Sequence, residues 1–531
     1  MYRAYAGRIA TEVITQQVDY ECCRWQLMFQ SLLDRQLVQL GLRPWPLDTA
    51  VYDQLARQPA VGGLARLLID RPSYTPLEQK RLYAFVEFLE PLLAEDVTLA
   101  DMQRELDKPR GITAWVNEFA DTPFDDNSVE RAFFRHILQH TTAAQNQEPP
   151  IPLPDAHIQL VCNPEGTNGR IALYNYDLTT ESWQEQYHQD NLPFWAYFQT
   201  ISTAPNLILM IETPDPEATE AIYTLLENGA VLDSFTYEGT NNFYGWGGDP
   251  HGRYLLLGRW YDGPPEFRLL DVEACRAGDC LPEPVAGLMV WSPDGRHTLT
   301  TPAAELDQPT STIWLGDAVG ENRQLVGAGK QPFWIDAQTY GYVQTNGAAQ
   351  EEWVTAVVGE NSPRVLLSAE RVLNSIPQEQ RPTSIYMNPP FALTAGSDQL
   401  GMMAYASSDA EQFYYFFIIT LNPEHTQVES LSLLYQDDRT AWVELSPDGR
   451  WLMTFADGEF GSTQVTLHNR ENDIAYSPPP SSNLYGLSWS PDGNWTVHTG
   501  DGYLFLSAPD VQYEQIIFHD FGECTHAFWQ E

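Results

Sequence analysis

Short apolar runs separated by turn residues dominate the chain from about residue 156 onward. Runs such as 288–291, 442–445 and 485–489 have the length and composition of β-strands, and further apolar runs follow several of them after a few turn residues. Two such runs joined by a short segment rich in Gly and Pro predict a β-hairpin. Because the pattern recurs, this part of the chain is predicted to consist of repeated antiparallel hairpins.

One phrase recurs at the predicted turns. It reads Trp291-Ser-Pro-Asp-Gly-Arg296, Leu445-Ser-Pro-Asp-Gly-Arg450 and Trp489-Ser-Pro-Asp-Gly-Asn494, with a looser copy at Trp246-Gly-Gly-Asp-Pro-His-Gly-Arg253. Proline presets φ for an early turn position, aspartate caps the turn with its side chain, and glycine accepts the positive φ that closes it. The turn glycines are Gly295, Gly449 and Gly493.

The aspartates of this phrase have two interpretations. Asp294, Asp448 and Asp492 could be catalytic or calcium-binding carboxylates, since acidic loop residues serve both roles. The same residue recurs at the same turn in unit after unit, however, whereas catalysis needs one special site. The structural role is therefore the favoured interpretation.

These repeats resemble the TolB-like, or WD40-like PD40, family of β-propellers, in which an inner strand ends in Trp-Ser-Pro-Asp-Gly before the next strand. The resemblance covers about residues 155–531, with three good copies and several degenerate ones. It implies a ring of four-stranded blades. It does not imply one function, because the same blades occur in periplasmic scaffold proteins, in peptidase gating domains and in many uncharacterised bacterial proteins.

The spacing of apolar strand ends predicts the blades. Inner strands are predicted to end at Trp195, Trp246, Trp291, Trp334, Phe391, Leu445, Trp489 and Trp529, at intervals of 51, 45, 43, 57, 54, 44 and 40 residues. These intervals suit four-stranded blades. The recurring tryptophans are expected to pack between neighbouring blades rather than to contact a ligand as hot-spot residues.

The two ends of this region are predicted to share one blade. Runs 157–162 and 170–176 have no inner strand of their own, whereas 524–529 looks like an inner strand without outer strands. Pairing them would close the ring and remove exposed sheet edges. The count is then eight blades, with seven as the alternative. The degenerate stretch 368–394, where the count is least defined, is interpreted as a loop between blades that holds a short helix.

The first 150 residues follow a helical pattern instead. Apolar residues at helical spacing and an absence of proline from about 2 to 40 predict a long helix, and further helices are predicted at 49–69, 76–94, 98–106 and 128–143. The overall prediction is a multidomain α + all-β fold. It comprises an α-helical domain at 1–143, a Pro-rich linker at 144–155 and a β-propeller at 156–531.

Charge separates the two parts of the 531-residue chain. Residues 1–150 contain 21 acidic and 15 basic residues, which leaves 51 acidic and 14 basic residues of the total 72 and 29 for the remainder. A surface of this sign repels phosphate backbones and anionic lipid, so neither nucleic acid nor a negatively charged membrane is an expected partner. Solubility or a high-salt habitat would explain the acidity; a basic protein or peptide partner is the functional alternative.

The cysteines bear on the compartment. The N-terminus lacks an apolar segment of signal-peptide length and no 18 apolar residues run together, so a cytoplasmic location is expected. Cys275 and Cys280 could nevertheless form a disulfide across a hairpin, and Cys162 and Cys524 lie on the strands predicted to share a blade. Such bonds would indicate an extracytoplasmic compartment, while buried free thiols are the alternative.

Motifs for catalysis and metal binding are scarce. The chain has no Gly-x-Ser-x-Gly, His-Glu-x-x-His, P-loop or Cys-x-x-Cys motif, and no cofactor is predicted. His136 and His140 are the weak metal candidates, since they lie one helical turn apart. Histidines in a last turn also suit the helix dipole, and no third ligand is evident. A non-enzymatic role is therefore expected.

Three functions remain open. The first is an interaction or scaffold protein, bacterial in type, whose propeller presents loops on one face to a protein partner. The second is a regulatory or inhibitory subunit of a signalling or stress-response system, in which the helical domain sequesters a partner. The third is a hydrolase or lyase that uses carboxylates in the central channel. The sequence identifies neither the partner nor the oligomeric state.

Overall fold

The computed structural model describes most of the strand-rich part of the chain and pieces of the helical part. The described residues are 47–57, 75–92, 116–117, 128–146, 149–163, 171–190, 195–201, 204–213, 220–238, 244–261, 263–306, 308, 310–347, 350–360, 362–392, 398–407, 412–437, 440–457, 463–472, 474–478, 487–500 and 502–530. The helices predicted at about 2–40 and at 98–106 lie outside these residues. The domain boundaries therefore stay predictions.

The described helices lie mainly before residue 146. They are α1 Thr49–Arg57, α2 Pro76–Leu89 with a 3-10 turn at Glu90–Leu92, α3 Ser128–Gln139, α4 Thr142–Gln145, α5 Val272–Arg276 and α6 Ala369–Ser375. The prediction at 76–94 is confirmed by α2, and the short helix within 368–394 is confirmed by α6. The helix predicted at about 128–143 is observed as α3, but it ends at Gln139, because Thr141 caps a separate short helix, α4, through its side chain.

Most strands form antiparallel sheets of four that follow the order of the chain. The first is β4 Trp195–Ile201, β5 Ala204–Thr213, β6 Glu220–Glu227 and β7 Ala230–Glu238. The next is β8 Tyr244–Gly248, β9 Tyr254–Tyr261, β10 Gly263–Asp271 and β11 Glu283–Val285. Two more are β24 Thr440–Leu445, β25 Trp451–Asp457, β26 Thr463–Asn469 and β27 Ala475–Tyr476, and β28 Ser488–Trp489, β29 Thr496–Gly500, β30 Tyr503–Ala508 and β31 Tyr513–Phe518.

Two larger sheets lie between β8–β11 and β24–β27 in the sequence. One has seven strands, β12 Gly287–Trp291, β13 His297–Pro302, β14 Ser311–Asp317, β15 Gln324–Trp334, β16 Thr339–Thr345, β17 Glu351–Val357 and β18 Arg364–Ser368. The other has five strands, β19 Tyr386–Met387, β20 Phe391–Ala392, β21 Gln399–Ser407, β22 Gln412–Leu421 and β23 Val428–Asp437. In the seven-stranded sheet, β15 pairs with β14 through its first half and with β16 through its second half.

One further sheet, the shared sheet, contains strands from both ends of the strand-rich region. It has the order β3-β2-β1-β32, with β1 His157–Asn163, β2 Ile171–Asp177, β3 Ser182–Gln189 and β32 Glu523–Gln530. The antiparallel pairing of β1 with β32 places Ile158 opposite Trp529 and Cys162 opposite Cys524. The predicted pairing of these two segments is therefore observed.

Hydrophobic clusters join each sheet to its neighbours. The shared sheet packs on β4–β7, which packs in turn on β8–β11, and β8–β11 packs on β12. Further along the chain, β15–β18 pack on β19–β23. The sheet β19–β23 then packs on β24–β27, and β24–β27 packs on β28. A last cluster, which includes Leu160, Trp495 and Leu504, packs β28–β31 back on the shared sheet. Such face-to-face packing of successive antiparallel sheets is the arrangement of a β-propeller.

Two predicted strand ends are wrong. Trp195 begins β4 and does not end it, since it pairs with Thr213 while the hairpin lies at the other end of the strand. No Ser-Pro-Asp-Gly phrase follows Trp195, so nothing in the sequence marked the true turn. Trp246 lies within β8 as the extra residue between Gly245 and Gly247, at a shift in register, and its side chain is 46% exposed.

Candidate functional site

The repeated phrase forms the same tight turn in each good copy. The serine hydroxyl donates to the aspartate Oδ1, at 2.6 Å for Ser292 to Asp294, 2.6 Å for Ser446 to Asp448 and 2.5 Å for Ser490 to Asp492. The same Oδ1 accepts the backbone N–H two residues later, from Arg296, Arg450 and Asn494. The glycines have φ of 67°, 70° and 71°, a region that favours glycine.

The turn contacts affect the ionisation of two aspartates. Partial burial works to raise the pKa of Asp294 and of Asp492, but the hydrogen bonds from the serine hydroxyl and the backbone outweigh it. Both pKa values therefore lie below the ordinary range, so these carboxylates are charged near neutral pH. Their oxygens are occupied within the turn, which is the geometry of a structural cap.

The looser copy at 249–253 makes the turn with different residues. Asp249 takes the place of Ser292, because its backbone N–H bonds Tyr254 as that of Ser292 bonds His297. Its carboxylate accepts the backbone N–H groups of His251 and Tyr254. Gly248 therefore occupies the position of Trp291 in the repeat, and Trp246 lies two residues before it.

Polar side chains connect the turns of adjacent sheets. The Nε2 of His251 lies 3.1 Å from the carbonyl oxygen of Asp294, in the next turn. Arg450 donates to Asn494 Oδ1 at 2.7 Å and to Asp510 Oδ2 at 2.5 Å, both in the following sheet. We call the surface formed by turns 249–253, 292–296, 335–338, 422–427, 446–450 and 490–494 the turn face.

His425 connects further parts of the turn face. Its Nδ1 lies 2.5 Å from Asp336 and its Nε2 lies 3.1 Å from Asp398, so the imidazole bridges two carboxylates. Burial alone would lower the pKa of His425, but the two aspartates outweigh burial and raise it. The pKa of Asp336 is lowered in turn, because hydrogen bonds from His425 and two backbone N–H groups outweigh its burial.

Two of the repeated tryptophans form hydrogen bonds to neighbouring inner strands. The indole N–H of Trp334 donates to the carbonyl of Val290 at 2.9 Å, and that of Trp529 donates to the carbonyl of Ser488 at 3.2 Å. Trp291 donates to Ala318 at 2.8 Å. Trp489 is buried and belongs to the cluster between β24–β27 and β28. These residues pack at sheet interfaces.

The described residues include two disulfides. Cys275 and Cys280 bond across the segment that holds α5, and Cys162 and Cys524 bond β1 to β32 over a separation of 362 residues. All four residues are buried. The second bond covalently ties the start of the strand-rich region to its end.

His136 and His140 do not assemble a metal site with a third residue that the structure describes. Their rings lie 4.5 Å apart, the Nδ1 of His140 contacts the carbonyl oxygen of His136 at 2.8 Å, and Tyr52 stacks on His140. Within the described ranges no group of three His, Cys, Asp or Glu side chains could hold a metal ion.

The helices pack against β30 and β31 beside a short strand. The outermost strand of the sheet β24–β27 is β27, which has only two residues. In the neighbouring sheet, the apolar side chains of Tyr503, Phe505 and Ile516 on β30 and β31 are covered by α1, α2 and α3. Two hydrogen bonds also hold the segment between the helices and β1 against the sheet β28–β31. Asn146 of this segment donates to the carbonyl oxygen of Glu514, and the indole N–H of Trp495 donates to the carbonyl oxygen of Pro152. The helices thus complete the packing at this edge.

A polar cluster lies within this junction. Arg57 of α1 contacts the Glu514 carboxylate at 2.5 Å and donates to the carbonyl of Ser477, while the Tyr476 hydroxyl donates to Glu514 at 2.7 Å. Burial, and then the charge of Glu514, raise the pKa of Tyr476 well above its ordinary value. Tyr476 is therefore a neutral donor, and Arg57 supplies the positive charge opposite Glu514.

Sequence reasoning missed the residues that connect separate units. His425, Glu514 and Asp510 are far in sequence from their partners, and none lies in the repeated phrase. Arg450 belongs to the repeated phrase, so the sequence placed it at a turn. Its contacts with the following sheet depend on how the sheets pack, which the sequence pattern does not encode.

Comparison with protein-family models and with curated protein sequences gives no match. Solved structures do show similarity. TolB from Acinetobacter baumannii has 14% identity and a TM-score of 0.30, with 60% of this chain and 81% of that chain covered. The periplasmic gluconolactonase PpgL from Pseudomonas aeruginosa has 13% identity and a TM-score of 0.36, with 61% and 97% covered.

A third similar structure is apo AztD from Citrobacter koseri, with 10% identity, a TM-score of 0.41, and coverage of 71% of this chain and 98% of that chain. The similar structures are TolB-like and other β-propeller proteins, in agreement with the resemblance that the repeats carry. Their activities differ, and they carry no inference about the activity of this chain.

Proposed function

We propose that this protein is a non-enzymatic binding protein that presents its turn face to a protein partner. The observation that carries the proposal is the set of links between turns of adjacent sheets, made by His251, Arg450 and His425. Linked turns hold their side chains in fixed positions, which lowers the entropy cost of binding a partner. Arg296 projects from this face with its side chain 80% exposed.

The proposed scaffold is an eight-bladed propeller. The seven-stranded sheet supplies two blades, because β15 changes its partner from β14 to β16 at a shift in register between Lys330 and Phe333. Gln331 has a φ of 51° at this point, which supports a bend in the strand. The shared sheet serves as the blade that joins both ends of the ring.

The helices are proposed to be a fixed part of this scaffold. Their cover over Phe505 and Ile516, and the pairing of Arg57 with Glu514, support this role over an independently moving effector. The regulatory alternative, in which the helices release from the propeller to sequester a partner, would expose the apolar side chains of β30 and β31 to water.

An extracytoplasmic location is proposed in place of the cytoplasmic one expected from the sequence. The two disulfides support it, because such bonds persist in oxidising compartments and are rare in the cytosol. Among the described residues, no helix has the length and apolar character needed to cross a bilayer.

The partner is proposed to be basic, and not nucleic acid. The excess of 51 acidic over 14 basic residues after position 150 supports attraction of a positively charged surface and repulsion of phosphate. Binding should therefore weaken as salt screens the attraction.

Site-specific photocrosslinking in the native host tests this proposal. A photoreactive residue replaces Arg296 on the turn face of the full chain. In the matched control it replaces Val365, which is 52% exposed on the outer strand β18. The expected result is one protein crosslinked from position 296 at a level that falls with added salt. Equal crosslinking from both positions, or none from position 296, would contradict the proposal.

A further inference from the structure

His519 lies against the disulfide that joins β1 to β32. Its Nε2 is 3.8 Å from the Sγ of Cys524, and the side chain is only 5% exposed. The imidazole stacks on Phe521 at a centroid distance of 4.9 Å and packs edge-to-face with Trp183 at 5.5 Å. A polar ring therefore contacts one sulfur of a buried disulfide.

A backbone hydrogen bond determines which nitrogen of His519 carries the proton. The N–H of Phe521 donates to Nδ1 at 3.4 Å, so Nδ1 is the acceptor nitrogen. Burial, and then the charge of Arg135, lower the pKa of His519 to about 4, so the ring is neutral near pH 7. The single proton of the neutral ring then lies on Nε2. His519 thus directs an N–H donor at Cys524.

The segment that carries His519 is held in position by contacts on both sides of the ring. The backbone N–H of His519 donates to the carbonyl of Gly502 at 3.0 Å, and the N–H of Gly502 donates to the carbonyl of Gly522 at 3.2 Å. Arg135 of α3 donates to the Oδ1 of Asp520 at 3.0 Å. These contacts place the imidazole beside the sulfur before any reaction occurs.

The hydrogen bond makes the two sulfurs of the disulfide chemically different. In thiol–disulfide exchange a thiolate attacks one sulfur, and the other leaves more readily when its own thiolate is more stable. An N–H donor stabilises a thiolate more than a neutral sulfur, because hydrogen bonds to charged groups are stronger. Cys524 is therefore the better leaving sulfur, and Cys162 is the sulfur that is attacked.

The disulfide lies close to the end of the pairing between β1 and β32. Beyond Cys162 and Cys524 the register contains one more pair, Asn163 with Glu523. The ends of paired strands open more readily than their centres. Local opening at this end can therefore expose the sulfurs to a small thiol while the rest of the sheet stays paired.

We propose that His519 directs thiol–disulfide exchange at the Cys162–Cys524 bond, with Cys162 forming the mixed disulfide and Cys524 leaving as the thiolate. In reduction, the thiolate of a small thiol attacks the Sγ of Cys162, the bond between the protein sulfurs breaks, and its electron pair passes to Cys524. A second small thiolate then attacks the small-molecule sulfur of the mixed disulfide, which releases Cys162 and forms a small-molecule disulfide. Two electrons thus pass from the two small thiols to the protein, and oxidation reverses these steps.

The redox state of this bond decides whether the two ends of the strand-rich region are covalently joined. This role is independent of what binds the turn face.

Trapping the mixed disulfide on the oxidised full chain tests the proposal, with reduced glutathione as the thiol. The exchange is stopped at short times with N-ethylmaleimide, and peptides are analysed by mass spectrometry without reduction. We expect glutathione on Cys162 with N-ethylmaleimide on Cys524 about tenfold more often than the reverse arrangement. Cys275 and Cys280 in the same sample are the internal control, since their bond lies between β10 and β11.

Two variants separate the hydrogen bond from the accessibility of the sulfurs. His519→Phe removes the N–H donor and should bring the two arrangements to within about twofold of each other. His519→Gln retains an N–H donor and should keep most of the preference. Neither variant should change how glutathione distributes over Cys275 and Cys280.

A preference for Cys162 that His519→Phe leaves intact would show that accessibility alone sets it, and would overturn the proposal. If His519→Phe fails to fold, equal trapping of glutathione on Cys162 and Cys524 in the parent protein would overturn it.

Discussion

At the scale of single residues, the turn aspartates matter through the hydrogen bonds they accept. In Asp492→Ala, the Ser490 hydroxyl and the Asn494 backbone N–H lose their acceptor. We expect a loss of about 1–2 kcal/mol in the free energy of unfolding, measured by urea denaturation near neutral pH. Glu360→Ala, at an exposed turn position, should change it by less than about 0.5 kcal/mol.

The same variant has a predicted acid dependence. The pKa of Asp492 is lowered in the folded protein, so its stabilising contribution is present above the ordinary pKa of 3.8 and is lost as the pH falls through the folded value. The difference between parent and Asp492→Ala should therefore shrink in strong acid. A difference that grows on acidification would contradict the assigned role.

His425 predicts a pH dependence of the opposite sign. Because Asp336 and Asp398 raise its pKa, its stabilising contribution is full below the ordinary pKa of 6.5 and is lost as the pH rises through the folded value. His425→Asn suits the φ of 52° and removes the charge. We expect the parent to exceed this variant by about 1 kcal/mol at about pH 5.5, and by less at about pH 9.

The matched control for this prediction is His157→Asn, at an exposed position on β1. Urea denaturation of parent, His425→Asn and His157→Asn at both pH values isolates the contribution of the bridge. A stability difference for His425→Asn that is equal at the two pH values would show that the bridge does not depend on protonated His425.

At the scale of secondary-structure elements, the helices replace part of a sheet. The edge strand β27 has only two residues, so it leaves apolar side chains of the neighbouring strand β30 uncovered. The helices α1, α2 and α3 cover these side chains instead. Phe505→Ala should therefore cost about 3–5 kcal/mol in unfolding free energy, measured by denaturant unfolding of the full chain. Leu325→Ala, at a 53% exposed position, should cost less than about 0.5 kcal/mol. A small effect of Phe505→Ala would mean that the helices do not pack there in solution.

How far the sequence predicted the elements depended on local chemistry. The strands beside Ser-Pro-Asp-Gly were placed correctly, because that turn fixes the residue at which the strand ends. Trp195 has no such turn after it, and Trp246 lies at a bulge, so both were misplaced. The docking of Arg57 on Glu514 joins residues separated by 457 positions, and no local pattern encodes such a contact.

At the scale of the whole molecule, the Cys162–Cys524 bond should contribute more to stability than the Cys275–Cys280 bond. The separations are 362 and 5 residues, and the chain-entropy model gives about 6 kcal/mol for the longer loop and about 2 kcal/mol for the shorter one. The double variant Cys162→Ser/Cys524→Ser should therefore melt well below Cys275→Ser/Cys280→Ser. The reverse order would contradict this account of the ring.

Disulfide mapping tests the central claim, that the two ends of the strand-rich region meet in one sheet. Free thiols are alkylated in intact host cells, and the protein is then digested without reduction and analysed by mass spectrometry. The account predicts a crosslinked peptide pair that contains Cys162 and Cys524, beside a local Cys275–Cys280 bond. Alkylated Cys162 and Cys524 would contradict the proposed compartment, and a bond from either residue to another cysteine would contradict the shared sheet.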